Sequence, residues 1–99
     1  MKDKTEYKTF RASQTIELEK ELNSMGSQGY ILEKLVIDEY NGAYKILSRY
    51  KKKSLKYRVI LGEPGKEFDN LLNADISLGW KYKDYLFATS GSPLVILEK

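Results

Sequence analysis

The fold is decided by two stretches of equal length, IELEKELNSMGSQGY at residues 16–30 and KEFDNLLNADISLGW at residues 66–80. They align at a constant offset of fifty, and each ends in a glycine followed by a large aromatic residue. The offset extends outward without a gap, so that residues 7–49 align with residues 57–99. The identical pairs are Tyr7 with Tyr57, Glu17 with Glu67, Leu22 with Leu72, Asn23 with Asn73, Ser27 with Ser77, Gly29 with Gly79, Ile46 with Ile96 and Leu47 with Leu97. This self-similarity predicts a chain made of two structurally equivalent halves.

The first of these stretches has the pattern of an amphipathic helix. Leu18, Leu22 and Met25 recur at helical spacing, whereas charged residues occupy the remaining positions. We expect Ser13 to cap the start of the helix and Gly29 to end it in a left-handed conformation.

Strands are predicted on both sides of this helix. Residues 5–10, 30–40 and 43–50 are rich in β-branched and aromatic residues, and Asn41-Gly42 favours a tight hairpin between the last two. The second half repeats the order, with strands at 56–61, 80–88 and 94–97 and a helix that Pro64 opens and Gly79 ends.

This order predicts an α+β fold in which residues 5–50 and 56–99 are two β-α-β-β repeats. We expect ferredoxin-like halves, with an antiparallel sheet that has both helices on one side. Neither repeat has enough core to be stable alone, so residues 1–99 should form a single domain with one shared interior. Tyr30 and Trp80 should then fill equivalent core positions. The pattern leaves open whether the halves form one continuous sheet or two facing sheets.

The first half resembles the small bacterial and phage domain of unknown function numbered 4177, through the acidic, leucine-rich helix that ends in Gly29-Tyr30. The second half is similar to the related domain of unknown function numbered 1737, through residues 57–60, Phe68 and Leu78-Gly79-Trp80. It departs from that family at Asp75, where the helix is usually apolar or small. The resemblance implies the fold and a setting in bacteria or their phages. Neither family has an established activity, so no catalytic residue is carried over.

The amino-acid composition limits the kinds of catalytic and metal-binding site that the chain can form. The chain has no cysteine and no histidine, which excludes disulfides, thiolate nucleophiles, imidazole bases and the usual nitrogen and sulfur ligands of zinc. We therefore predict no catalytic residue, no metal site and no cofactor. No apolar run approaches the ~18 residues of a membrane-spanning helix, and the N-terminus leads into no signal-type core, so we expect a cytoplasmic protein that does not contact a membrane.

Positive charge is concentrated in one segment, residues 45–58, which we call the basic segment. It holds seven of the 17 basic residues and no acid, although the whole chain has a net charge of only +3. Its cations could bind phosphates or other anions, and tyrosines interleaved with them could stack on bases. The simpler alternative is a solvated connection between the halves, in which lysine prevents edge-to-edge pairing of strands. The predicted ligand-binding residues are Lys45, Arg49, Lys51, Lys52, Lys53, Lys56 and Arg58, with Tyr50 and Tyr57.

The eight tyrosines exceed what the predicted core needs. Tyr40, Tyr50, Tyr82 and Tyr85 fall on strands whose two faces cannot both meet a helix, and aromatic residues on an uncovered sheet face are typical of an interface. We therefore expect a homo-oligomer.

The leading hypothesis is a non-enzymatic binding or assembly module that holds an anionic ligand, such as a nucleotide, or a protein partner against the basic segment. Phage or mobile-element accessory and anti-defence proteins are of this size and setting. Two alternatives remain: a nucleic-acid-binding protein that uses Lys45 to Arg58, and a small enzyme that uses carboxylates, lysine and tyrosine.

Overall fold

The structure of the protein is a computed structural model that describes residues 6–38, 40–88 and 91–99. Thr5 of the predicted first strand and Glu39 of the predicted second strand lie outside these residues. The elements are β1 (Tyr7–Ala12), α1 (Thr15–Ser27), β2 (Tyr30–Asp38), β3 (Ala43–Tyr50), β4 (Tyr57–Leu61), α2 (Lys66–Ser77), β5 (Lys81–Phe87) and β6 (Pro93–Glu98). Neither α1 nor α2 is long and apolar enough to span a membrane.

The strands form two separate three-stranded antiparallel sheets. Sheet 1 has the order β1-β3-β2 and sheet 2 has the order β4-β6-β5, so in each the last strand lies between the other two. The predicted α+β class and the β-α-β-β order of both halves are confirmed. The question that the sequence left open is answered in favour of two sheets, because the strands of the two halves do not pair with each other. We call the face of each sheet that its own helix covers the helix face, and the other the opposite face.

Helix α1 lies on sheet 1 through its predicted apolar stripe, since Leu18, Leu22 and Met25 are completely buried. Its start differs from the prediction. Gln14, not Ser13, occupies the N-cap position, and the Ser13 backbone N–H donates to the Glu17 carboxylate. Glu17 therefore satisfies a backbone donor that lies before the helix. Gly29 has a φ of 99°, which confirms the predicted left-handed end.

Sheet 2 packs its opposite face against the first half. Leu94 and Ile96 of β6 join one apolar cluster with Leu18 and Leu22 of α1 and with Leu32 of sheet 1. Strand β6 is buried on both faces, because Val95 and Leu97 alternate with these residues and join a second cluster. The second cluster also contains Ile60, Phe68 of α2 and, at its margin, Leu72 and Trp80. Sheet 2 is therefore a middle layer between sheet 1 and α2.

This layering contradicts the prediction that the two halves fill equivalent core positions. Leu22 is fully buried, whereas its counterpart Leu72 is only partly buried. Tyr30 is buried in the first cluster, whereas Trp80 is half-exposed beneath Arg58 and Lys99, which lie 5.8 and 5.7 Å from its ring centroid. The two halves share an order of elements but not an environment.

The strand registers also correct the gapless offset of fifty. Tyr7 lies opposite Arg49, but Tyr57 lies opposite Glu98, which is forty-nine positions beyond Arg49. The second hairpin is one residue shorter, since Ile37 pairs with Tyr44 and Phe87 pairs with Pro93. A shift of one residue turns a strand over, so the sequence identity of Ile46 with Ile96 does not reflect structural equivalence. The structural counterpart of Ile46 is Val95.

Because the two environments differ, substitution by alanine at Leu22 and at Leu72 should lower the free energy of unfolding by different amounts. Leu22→Ala should lower the free energy of unfolding by about 2–5 kcal/mol, because it leaves a cavity in a closed cluster. Leu72→Ala should cost about 1–2 kcal/mol, because that side chain already contacts solvent. Urea denaturation of both variants measures this difference, and equal losses would show that the two helices are packed alike.

Candidate functional site

The structure distributes the basic segment over three places. Lys45 and Arg49 lie on the opposite face of sheet 1, and Arg58 lies on the helix face of sheet 2. Between them, residues 51–56 form the connection from β3 to β4. The seven cations therefore do not form one site.

The three cations on strands each have an acidic partner. The Lys45 ammonium lies 3.3 Å from Asp38, the Arg49 guanidinium contacts Glu33, and the Arg58 guanidinium lies 2.9 Å from Asp75. A hydrogen bond from the Asn41 amide, helped by Lys45, lowers the pKa of the Asp38 carboxyl below its ordinary value. Each pair is only partly exposed, but at least one of its two groups contacts solvent, so it adds little stability. They do, however, reduce the charge that these cations offer to a ligand.

The connection lysines, Lys51, Lys52, Lys53 and Lys56, are all exposed. None of them forms an ion pair with any of the residues that the structure describes. They lie at the C-terminal end of α1, where outward-pointing carbonyls favour nearby cations.

The backbone of this connection is fixed, although its side chains are exposed. The Lys51 N–H donates to the Gly29 carbonyl at 2.9 Å, and the Leu55 N–H donates to the Gly26 carbonyl at 3.1 Å. Lys56 exchanges two backbone hydrogen bonds with Lys99. The contact at Gly26 requires glycine, because a Cβ there would lie 2.3 Å from the Leu55 carbonyl oxygen. The four lysines are thus presented from a defined backbone.

The tyrosines predicted to stack on bases are largely unavailable. Tyr57 is buried, and its hydroxyl accepts a hydrogen bond from the Leu32 N–H at 2.8 Å and donates one to Glu98 at 2.7 Å. Burial, followed by the Glu98 carboxylate, raises the pKa of Tyr57 far above its ordinary value. Tyr50 is half-buried with its ring centroid 5.3 Å from that of Tyr30. The packing of sheet 2 on sheet 1 encloses Tyr57, so its ring is not available for stacking on a base.

The opposite face of sheet 1 carries two cations, Arg11 and Lys34, that were not among the predicted ligand-binding residues. Arg11, Lys34 and Lys45 surround Val36 and Leu47 in a shallow depression of about 440 Å³. Strand pairing brings them together, since Arg11 and Val36 both lie opposite Lys45. These residues are spread over three strands, so only the alternation of each strand, combined with the strand order, could have revealed them.

A second depression, of about 640 Å³, lies between α1 and β4. Ile16, Val59 and Leu61 provide its apolar lining, and Glu19 and Lys20 bring one charge of each sign. This balance does not favour an anion. In the described residues, no three acidic side chains are grouped so that they could hold a metal ion.

Comparison with known proteins identifies no relative. No protein-family model, no curated protein and no solved structure matches this chain. The resemblance to the two domains of unknown function therefore stays a prediction, and the function has to be argued from the geometry above.

The contrast between Tyr57 and its exposed counterpart Tyr7 gives a second prediction. Tyr57→Phe should lower the free energy of unfolding by about 1–3 kcal/mol, because it leaves the buried Leu32 N–H without an acceptor. Tyr7→Phe should change it by less than about 0.5 kcal/mol, because the Tyr7 side chain is exposed. Thermal and urea unfolding provide the measurement, and a neutral Tyr57→Phe variant would contradict the buried hydrogen bond.

Proposed function

We propose that this protein is a non-enzymatic binding module that holds an anionic ligand or an acidic protein surface at the connection lysines. The observation that carries the proposal is the presence of four exposed lysines on a backbone that is hydrogen-bonded at both ends. A fixed backbone reduces the entropy lost when these side chains engage a partner. The absence of acidic partners among the described residues leaves their charge available.

The charge distribution of the whole chain supports this assignment. The basic segment carries seven positive charges, whereas the other residues carry ten basic and fourteen acidic side chains. An anion is therefore attracted to the connection, over distances of about one Debye length, ~8 Å at physiological salt. The geometry favours a compact anion such as a nucleotide, or an acidic patch on another protein.

Nucleic acid is the second candidate, and the buried tyrosines weaken it. Tyr44 and Tyr57 are enclosed, and Tyr50 is packed against Tyr30, so base stacking would contribute little. Four lysines on phosphates alone would give a log–log salt slope of roughly −3 to −4. Such binding would be sequence-independent.

A non-enzymatic role is preferred over the small enzyme that the sequence leaves open. Burial, followed by the Glu98 carboxylate, raises the pKa of Tyr57, so that its hydroxyl stays protonated and cannot act as a base. Its hydroxyl is also engaged by Leu32 and Glu98.

A role as an accessory or anti-defence protein of a phage or mobile element is consistent with the small size and with the resemblance to the two domains of unknown function.

The proposal predicts that binding and stability can be separated. Replacing Lys51, Lys52 and Lys53 together by glutamine should abolish binding of nucleotides and acidic peptides, because it removes three of the four connection lysines. The free energy of unfolding should change by no more than about 0.5 kcal/mol, because the side chains are exposed. Isothermal titration calorimetry at two salt concentrations measures the binding.

The matched control replaces Lys20, Lys66 and Lys81 by glutamine. These lysines are also exposed, and their loss lowers the net charge equally. Equal binding by both triple variants would mean that total charge, and not the connection, attracts the anion. Strong salt-dependent binding of single-stranded oligonucleotides with no binding of nucleotides would favour the nucleic-acid alternative.

A further inference from the structure

Sheet 2 leaves a row of aromatic side chains uncovered on its helix face. Tyr82, Tyr85 and Phe87 of β5 are exposed by 60%, 45% and 54%. An irregularity at Lys83 places all three on one face, where they lie opposite the buried Leu97, Val95 and Pro93 of β6. Two of the three rings are in contact, since the centroids of Tyr85 and Phe87 are 6.0 Å apart. Helix α2 covers β4 and β6 through Phe68 and Leu72 and does not reach this row.

The first half shows what kind of surface covers such a row. The counterparts of the three aromatic residues are Leu32, Leu35 and Ile37 of β2, which follow the same irregularity. They belong to the apolar cluster that includes Leu94 and Ile96, so the opposite face of sheet 2 helps to enclose them. In the first half, the cover is therefore a second unit of the same fold.

Side-chain hydrogen bonds from Asn23 and Glu19 of α1 to β4 accompany this packing, and we call them the polar clasp. Asn23 of α1 binds the edge of β4: its side-chain oxygen accepts from the Tyr57 N–H at 2.7 Å, and its amide donates to the Tyr57 carbonyl at 2.9 Å. Glu19, one turn earlier, accepts from the Val59 N–H at 2.9 Å. These contacts satisfy backbone groups that an edge strand would otherwise expose.

Helix α2 carries similar side chains at the same two positions, but in the described residues they bind no strand edge. Asn73 and Asp69 are the counterparts of Asn23 and Glu19, and both are exposed. Neither side chain forms a hydrogen bond within the ranges that the structure describes. The amide of Asn73, at the same helix position as that of Asn23, thus has no hydrogen-bond partner in the described part of the chain.

The complementary edge is present on β1. Tyr7 and Thr9 are the counterparts of Tyr57 and Val59, and the register confirms this, since Tyr7 faces Arg49 as Tyr57 faces Glu98. The Tyr50 N–H donates inward to the Glu6 carbonyl, as the Lys99 N–H donates to the Lys56 carbonyl. By strand alternation, the backbone groups of Tyr7 and Thr9 point outward, as those of Tyr57 and Val59 do.

The adjoining face of sheet 1 also fits. It offers the apolar Val36 and Leu47, whose counterparts in sheet 2 are Leu86 and Ile96. Arg11, Lys34 and Lys45 surround them, whereas α2 exposes Glu67 and Asp69. The charges are complementary. Because cations replace apolar residues here, such as Lys45 in place of Leu94, the contact should be weaker than the one within the chain.

We propose that copies of this chain associate head to tail. The head is α2 with the aromatic row of β5, and the tail is the outer edge of β1 with the opposite face of sheet 1. Each head would cover the tail of the next copy as the first half covers the second half within the chain. Such a heterologous contact yields a ring if its rotation closes and a filament if it does not. The inference goes beyond the proposed function, because neither surface includes the connection lysines.

Complementing variants test this directionality. A head variant, Asn73→Ala with Tyr85→Lys, removes the clasp and places a cation against the basic tail. A tail variant, Lys34→Glu with Val36→Glu, places acids against the acidic α2. All four side chains are exposed, so circular dichroism should show an unchanged fold for both variants.

Analytical ultracentrifugation over a range of concentrations is the measurement. The wild-type mass should grow beyond that of a dimer, and each variant alone should stay monomeric. An equimolar mixture should form a dimer and stop, because it contains one intact head and one intact tail. Asn73→Ala alone should weaken association about tenfold, since two hydrogen bonds are lost, whereas Asn70→Ala on the same helix should not.

Three results would overturn the proposal. One is a wild-type protein that stays monomeric at every concentration. Another is a tail variant that still dimerises alone, which would indicate a two-fold contact between aromatic rows. The third is a mixture that remains monomeric. Loss of anion binding in the connection variant with assembly intact would affect only the proposed function.

Discussion

The structure depends on how one edge strand is covered. Strand β4 is the edge of sheet 2, and α1 closes that edge with Asn23 and Glu19. This contact sets sheet 2 beside α1 on top of sheet 1, where Tyr57 reaches down to the Leu32 N–H. The position of α2, the burial of both faces of β6 and the exposed row of β5 all follow from that placement. Without it, each half would be a three-stranded sheet with a single helix and too little core.

Because the second half packs on the first, residues at equivalent positions have different environments and make different contacts. Tyr7 and Tyr57 occupy the same place in their strands, yet one is exposed and the other is buried with a raised pKa. Asn23 binds the edge of a strand, whereas Asn73 has no hydrogen-bond partner among the residues that the structure describes. The asymmetry is the expected result of a heterologous contact between like units, which leaves one unmatched head and one unmatched tail. The connection lysines lie at the joint between the units, because the chain must pass the end of α1 to begin β4.

Local patterns predicted the elements well. The stripe of Leu18, Leu22 and Met25, the left-handed Gly29 and the β-α-β-β order were all visible in the sequence. The packing of sheet 2 on sheet 1 was not visible in the sequence, because it depends on which strand edge and which sheet face the second half covers. One signal was available: PLVIL in β6 is continuously apolar, as in strands buried on both faces, whereas AYKILSRY in β3 alternates.

The candidate site was predicted only in part, since the connection lysines were identified but Arg11 and Lys34 needed the strand order. The identity of Ile46-Leu47 with Ile96-Leu97 concealed a one-residue shift and suggested an equivalence that the registers contradict.

The covered edge of β4 is the central claim, and amide hydrogen exchange of the dilute monomer tests it most directly. The Tyr57 and Val59 amides should exchange slowly although they face away from β6, because side chains of α1 accept their hydrogens. The corresponding Tyr7 and Thr9 amides on β1 should exchange rapidly. Equal, rapid exchange at all four positions would contradict the account, because α1 would then not hold sheet 2 in place.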